Sequence, residues 1–306
     1  MTKISVIIPA YNAENTILTT VNSVLQQTHQ DLEIIIINDG SSDRTEKILN
    51  DIKDSRLEVY SYENGGISTA KNRGIDLATG DYIAFLDADD CWTKDKLATQ
   101  FLALEKNTQA GLAYSWVYFQ YETEAKSYAD TSGYLTGDIY PDLLLKNFLH
   151  TSSNPLIKTS VIKEIGCFIP ELKVAEDWDL FLRIAAKYHF VLVPKVQIIY
   201  RQSDQSITTN IKLMEQYLNI VIERAFRVAP DELKYLKKQS IGWVYKYLTQ
   251  QYIKYQLTNF KGIKLTVFNL CRAILVYPPN VIEPFTRSLT RRLIKNTIKQ
   301  IIINHY

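Results

Sequence analysis

Residues 82–90 read Tyr82-Ile83-Ala84-Phe85-Leu86-Asp87-Ala88-Asp89-Asp90, a short apolar run that stops abruptly in three carboxylates. The run has the length and composition of a buried strand, so its acids fall just beyond the strand's carboxyl end. That edge is where open α/β sheets bind their ligands. Crowded carboxylates repel one another and hold protons unless a cation relieves them. Hard oxygen donors favour magnesium or manganese, which in turn grip phosphate oxygens. A solvated acidic turn would also accommodate such residues, so the surrounding sequence has to choose.

Working outward, the first hundred residues alternate apolar runs with helical periodicity. Strands are predicted over 4–8, 32–37, 57–62, 82–86 and 112–119, and helices over 15–27, 43–54, 66–78 and 94–107. Near-continuous apolar strands separated by helices imply a Rossmann-like, mostly parallel α/β sheet covered on both faces. Residues 121–154 loosen into polar sequence with Gly and Pro, the mark of a functional loop in a compact domain. A helix over 177–187 and strands over 190–193 and 196–200 follow, and beyond residue 206 the sequence becomes helical.

Length and composition set bounds. The 306 residues suffice for one large domain, or a domain plus an appendage, and 46% hydrophobic with 22% charged residues is ordinary for a globular protein. Cys91, Cys167 and Cys271 are odd in number and widely spaced, which argues against a disulfide framework or zinc site and for a reducing, cytoplasmic setting. No leader is evident, and no uncharged stretch reaches membrane-spanning length. The net charge of +2 conceals a division: residues 1–205 carry 19 Lys and Arg against 28 Asp and Glu, residues 206–306 carry 16 against 5. The two regions are therefore expected to face different partners, and the acidic one opposes nucleic-acid binding.

Four further clusters follow predicted strands or open predicted helices. In Pro9-Ala10-Tyr11-Asn12, Pro9 would fix the turn and Tyr11 present a ring for stacking, although an ordinary strand-to-helix turn reads the same way. In Asn38-Asp39-Gly40-Ser41-Ser42-Asp43, Gly40 permits the turn and Asp43 can cap the next helix. Asp39 is the surplus acid that points to a base or ribose. The helix start at Gly65-Gly66 aims backbone amides, and Lys71 beyond them, at a phosphate, but the spacing matches no P-loop or dinucleotide fingerprint. Glu176-Asp177-Trp178-Asp179 opens a helix, where acids also serve as plain dipole caps.

Together, VIIPAYN, NDGSSD, GGISTAKNRG, DADD and EDWDL resemble the inverting glycosyltransferases of family 2, with the GT-A fold, over roughly residues 3–205. The resemblance implies a nucleoside-diphosphate sugar donor, UDP or dTDP, and a divalent metal, Mn or Mg. Carried over by position, Pro9, Tyr11 and Asp39 would contact base and ribose. Lys71 would lie near the nucleotide or its phosphates, and Asp87 near the ribose or metal. Asp89 would hold the metal and Asp177 would be the catalytic base, with Glu176, Trp178 and Arg201 as acceptor or diphosphate contacts. Two positions depart from the pattern: Lys71 stands where arginine is common, and Ser203 where histidine is. The domains implied are a GT-A domain over 1–205 and a basic helical region over 206–306. The alternative is a non-catalytic nucleotide-sugar binder or membrane scaffold.

The basic end adds one more expectation. Arg287, Arg291, Lys295 and Lys299 recur every four residues, with Leu289, Leu293, Ile294, Ile298, Ile301 and Ile302 on the other face of the same helix. Such a helix either lies on an anionic membrane surface, suiting a glycan or lipid-linked acceptor at the cytoplasmic face, or packs on the domain with its basic side in water.

Overall fold

A computed structural model describes residues 2–121, 127–131, 135–202, 210–256 and 260–304, the side chains ending at 298. Ser203 and the side chains of Lys299, Ile301 and Ile302 lie outside the described residues, as does part of the 121–154 segment. The chain forms two compact units, one of Met1–Tyr140 with Asn147–Ser203, the other of Pro141–Lys146 with Asp204–Tyr306.

The first unit is built on one nine-stranded sheet. Its strands are β1 (Ile4–Ala10), β2 (Leu32–Asn38), β3 (Leu57–Ser61), β4 (Tyr82–Phe85), β5 (Cys91–Trp92), β6 (Ala110–Tyr121), β7 (Tyr128–Asp130), β8 (Leu156–Lys158) and β9 (His189–Gln202). They lie in the order β3-β2-β1-β4-β8-β6-β9-β5, with β7 on β6. Pairing is parallel between β1 and β2, β2 and β3, β1 and β4, and β6 and β9. β8 runs antiparallel to both β4 and β6.

Helices α1 (Ile17–Leu25), α2 (Thr45–Asp51), α3 (Ile67–Leu77), α4 (Lys96–Lys106), α5 (Tyr140–Leu145), α6 (Thr159–Ile165) and α7 (Glu176–Ala185) connect the strands. The period of two along a strand divides the core. Ile4, Val6 and Ile8 of β1 with Ile34 and Ile36 of β2 join Ile17, Val21, Leu49 and Leu97 from α1, α2 and α4. Ile35 and Ile37 point the other way and pack with Ala70 of α3. Both faces are covered, which is why these strands are apolar throughout rather than alternating.

α3 lies so close to β1 that a Cβ at Gly74 would overlap Ile7 Cγ2. Gly74→Ala is therefore expected to destabilise the protein by about 1–3 kcal/mol, the usual cost of overpacking a core. An unchanged chemical-denaturation midpoint would show that the helix has room to shift.

Three expectations change. Pro9 does not form the turn but sits inside β1, paired with Ile37. Ile7 accepts from Leu86 on the β4 side and Ala10 from Asp39 on the β2 side. Pro9, two residues after Ile7, thus aims its missing N–H at the β4 side, where that strand has already ended. The turn falls at Asn12, with φ +47°. The two strands predicted around Pro194 are one, β9, whose register on β6 jumps from Ser115↔Val193 to Trp116↔Val196. Pro194 and Lys195 bulge out, so the proline interrupts pairing without ending the strand. The short strands β5 and β8 escaped notice altogether.

The second unit takes in α5, all but its first residue, together with α8 (Ile211–Val228), α9 (Lys237–Tyr255), α10 (Phe260–Val276) and α11 (Pro284–Asn304). Leu289 and Leu293 of α11 pack with Ile253 and Leu270 of α9 and α10. Arg272 pairs with Glu215 at 2.7 Å, and Lys246 with Glu283.

Candidate active site

The acids that follow β4 sit at the carboxyl edge of the parallel strands. β8 is reversed, with Leu156 opposite Ala84. Residues 151–155 therefore reach that same edge just before β8 begins. Their hydroxyls meet the acids directly. Ser152 Oγ donates to Asp87 Oδ1 at 3.0 Å, and Ser153 Oγ to Asp90 Oδ2 at 2.6 Å. Thr151 Oγ1 lies 3.2 Å from Asp87 Oδ2 and 3.3 Å from Asp90 Oδ2. β9, parallel to β6, brings Arg201 to the edge as well: its backbone N–H donates to Asp90 Oδ1 at 3.2 Å and its Nε to the Asp89 carbonyl.

The three acids are not equivalent. Asp90 is fully buried, and burial together with the charges of Asp89 and Asp87 pushes its pKa well up. Its oxygens are already engaged, so it is a structural member of the turn. Asp89 is raised to about 6 by burial and by Asp87. Among the described residues no other group donates to its carboxylate. A pair of oxygen donors, one of them raised despite the nearby charges of Arg201 and Lys71, fits a divalent cation. No group of three His, Cys, Asp or Glu among the described residues is placed to hold an ion. Asp89 and Asp87 are thus the residues that would hold such an ion.

Lys71 ties this cluster to α7. Its side chain is 1% exposed. Nζ donates to Ser152 Oγ at 2.7 Å and to Glu176 Oε1 at 2.9 Å, and lies 3.4 Å from Asp87 Oδ1. Burial alone would depress its pKa, but the charges of Asp87 and Glu176 outweigh this and the net shift is upward. The ammonium expected to meet a phosphate is thus held among three protein oxygens. Next along α7, Asp177 is raised to about 7, by burial first and by the Glu176 charge second, with Lys71 pulling the other way. Ala175, just before the helix, holds φ +59°. His150, just before the hydroxyl run, holds φ +70°. Left-handed backbone is costly for such residues, and with Asn12 all three cases adjoin the candidate site.

The loops that follow β1, β2 and β3 hold one another. Ser42 N donates to Asn12 Oδ1 at 2.8 Å, joining the first two strand-to-helix turns. Asp39 is 4% exposed. It accepts from Gly65 N at 2.9 Å, Gly66 N at 2.8 Å and Arg73 Nη1 at 2.9 Å. Arg73 also lies 4.4 Å over the Tyr62 ring. Tyr11 is 56% exposed, its ring free for stacking.

Of the residues singled out in sequence, Asp87, Asp89, Lys71, Glu176 and Asp177 come together in one cluster. Pro9, Tyr11 and Asp39 belong to the loops of β1 and β2. Trp178 is corrected: at 1% exposure it anchors α7 in the core and offers no surface to an acceptor or diphosphate. Arg201 is committed to the acidic turn, its Nη2 donating to Thr20 Oγ1 at 3.1 Å. The hydroxyl run 151–153 and Arg73 were missed. The signal for the former was three consecutive hydroxyl residues ahead of Asn154-Pro155 and an apolar pair.

A mostly parallel sheet with acids at its carboxyl edge and a helical C-terminal unit is the architecture of the GT-A glycosyltransferases. The chain belongs to the family described as glycosyltransferase-like family 2, whose model matches residues 5–252. Staphylococcus aureus TarS 1-349, solved in complex with UDP-GlcNAc, aligns with TM-score 0.62 at 18% identity, over 96% of this chain and 89% of that one. The mannosyltransferase PcManGT of Pyrobaculum calidifontis, solved with GDP-Man and Mn2+, gives 0.62 at 17% identity, over 98% and 87%. In sequence, the Escherichia coli enzyme WfaP, named UDP-Glc:alpha-D-GlcNAc-diphosphoundecaprenol beta-1,3-glucosyltransferase, is 35% identical over 196 residues, 61% of this chain and 72% of that protein. An uncharacterized glycosyltransferase of Rickettsia felis is 34% identical over 61% of this chain, which spans 31% of that protein's length.

Proposed function

We propose that this protein transfers a sugar, with inversion, from a nucleoside-diphosphate donor to an acceptor hydroxyl. The observation that carries this is the Lys71 ammonium, which bridges Asp87 at the end of β4 and Glu176 at the start of α7. The bridge joins the ends of β4 and α7, and the charges of Glu176, Lys71 and Asp87 all act on the Asp177 carboxylate. Asp177 takes the proton of the acceptor hydroxyl as its oxygen attacks the anomeric carbon. One base and one displacement give inversion, so no second nucleophilic carboxylate is required. Lys71 acts through its partners, setting the positions and charges of Asp87 and Glu176. Tyr11 stacks on the base, and Asp39, while holding the 65–66 turn, borders the nucleoside loops.

Asp89 and Asp87 would hold a manganese or magnesium ion, which when bound would offset charge on the leaving diphosphate. The names of TarS and WfaP support a UDP sugar as donor, and WfaP supports a lipid-linked glycan as acceptor. No described helix is long and apolar enough to cross a membrane. A lipid-linked acceptor, as in the name of WfaP, would put the site at the cytoplasmic face of an anionic membrane.

The test is a thermal-shift and turnover panel of nucleotide sugars with manganese or magnesium. A cognate donor stabilises the native state and is consumed only with metal, and chelation reduces turnover to background. Asp89→Asn is expected to raise the half-saturating metal concentration by about tenfold or more, as loss of a charged ligand does. Full turnover in chelator would remove the cation from the scheme, and saturable binding without any turnover would favour the binding-only alternative.

A further inference from the structure

α10 is amphipathic the wrong way round for a helix of a free-standing domain. Its buried face carries Gly262, Thr266, Asn269 and Ala273, small or polar residues apart from Leu270. Its exposed face carries Phe260 at 82%, Val267 at 43%, Phe268 at 54% and Leu275 at 78% exposure. Offsets of 7, 8 and 15 from Phe260 place these on one stripe of a 3.6-residue helix. Val281 and Ile282, in the 3-10 turn at Pro278–Ile282 that follows, are 53% and 64% exposed. Water contact with this much apolar surface is unfavourable, and such a patch marks an interaction site.

The charges around the stripe select the partner. Lys261 and Lys264 are exposed on α10, and residues 260–306 carry eight Lys and Arg but one acidic side chain, Glu283. Glu283 is already paired with Lys246. A second copy would bring the same positive charge to the same face. A nucleic acid would meet the cations but leave the apolar stripe unused. An anionic phospholipid surface satisfies both features: the stripe enters the headgroup boundary, and Lys261 beside it and Lys264 within it extend their long stems so that the ammonium groups stay with the phosphates.

We infer that the exposed stripe of α10, continued by Val281 and Ile282, is the docking face of this protein on an anionic membrane. This deepens the peripheral placement proposed above and centres it on α10; on α11, Leu289 and Leu293 are buried in packing the unit, while Ile294 and Ile298 stay exposed beside the basic residues. α11 then adds long-range attraction through Arg287, Arg291 and Lys295.

The test is sedimentation of the full chain with vesicles of phosphatidylglycerol and phosphatidylcholine in equal parts, against phosphatidylcholine alone. The triple variant Phe260→Ser, Val267→Ser, Leu275→Ser is expected to weaken partitioning by more than about tenfold, whereas Leu18→Ser with Leu102→Ser, exposed leucines of the other unit, leaves it unchanged. Lys261→Glu with Lys264→Glu should weaken binding only to the anionic vesicles and flatten its salt dependence, which keeps the test decisive should the triple variant misfold. Equal sedimentation of wild type and both α10 variants overturns the inference. So does a dimer in lipid-free buffer that the triple variant dissolves, since a second copy would then cover the face. Donor binding is measured on the same samples: its absence from the wild type counts against the transferase reading alone.

Discussion

Asp177→Asn is expected to leave donor binding unchanged and to slow sugar transfer by about 10²–10⁴-fold, the range a positioned proton acceptor contributes. The amide keeps the shape of the carboxylate and still accepts a hydrogen bond, but it cannot take the acceptor's proton. The raised pKa gives the wild-type enzyme a signature that the variant lacks. Asp177 works ionised and titrates near 7, so wild-type turnover at saturating substrate rises through that region and levels above it. The stability effect has the opposite sign. Between the ordinary carboxylate value of 3.8 and about 7 the folded state holds a proton that the unfolded chain has released. The Asp177 contribution to stability is therefore present at low pH and lost as pH rises through that window. The variant should lack this decline, and above neutrality it should melt no lower than wild type. Turnover within a few-fold of wild type would take Asp177 out of its role.

Lys71→Met is expected to be the most destabilising single change in the site, at about 3–5 kcal/mol, because removing one partner leaves buried carboxylates uncompensated. The ammonium is enclosed, and no water can replace it without opening the cluster. The change also removes the charge that pulls Asp177 down, so any residual activity should have its inflection moved to higher pH. Adding Glu176→Gln to Lys71→Met should recover part of the loss, since the amide needs no counter-charge. Urea denaturation of the two variants measures both effects. Additive losses in the double variant would mean that Lys71 and Glu176 do not act as a unit.

β3 and α3 were legible in sequence from their place in the strand–helix alternation, and β1, β2 and β4 because they are buried, so their apolar runs end cleanly at polar turns. Asp87, Asp89 and Asp177 were legible for the same reason, each standing at the boundary of a strong periodic element. β5 and β8 were not, being two and three residues long, too short for any period to register. The hydroxyls of 151–153 were hidden with β8, since only the reversal of that strand turns an ordinary loop into a lining for the acids. Lys71 shows a different limit. Its charge and position suggested an anion, and the sequence could not say that protein carboxylates from β4 and α7 had already claimed it. The basic C-terminal helix pointed to a surface, but which apolar face stayed uncovered depended on how α9, α10 and α11 divide the packing.

The wedge formed by β8 has a consequence for how the chain is made. The first four strands can pair in the order in which a ribosome delivers them, each beside one already present. β4 then waits with an unpaired edge and a knot of like charges until Leu156–Lys158 has emerged, and β6 cannot take its final neighbour before that. A nascent chain stalled between these points exposes a sticky strand at its most repulsive corner. Synthesis paused there is where a chaperone would be needed most.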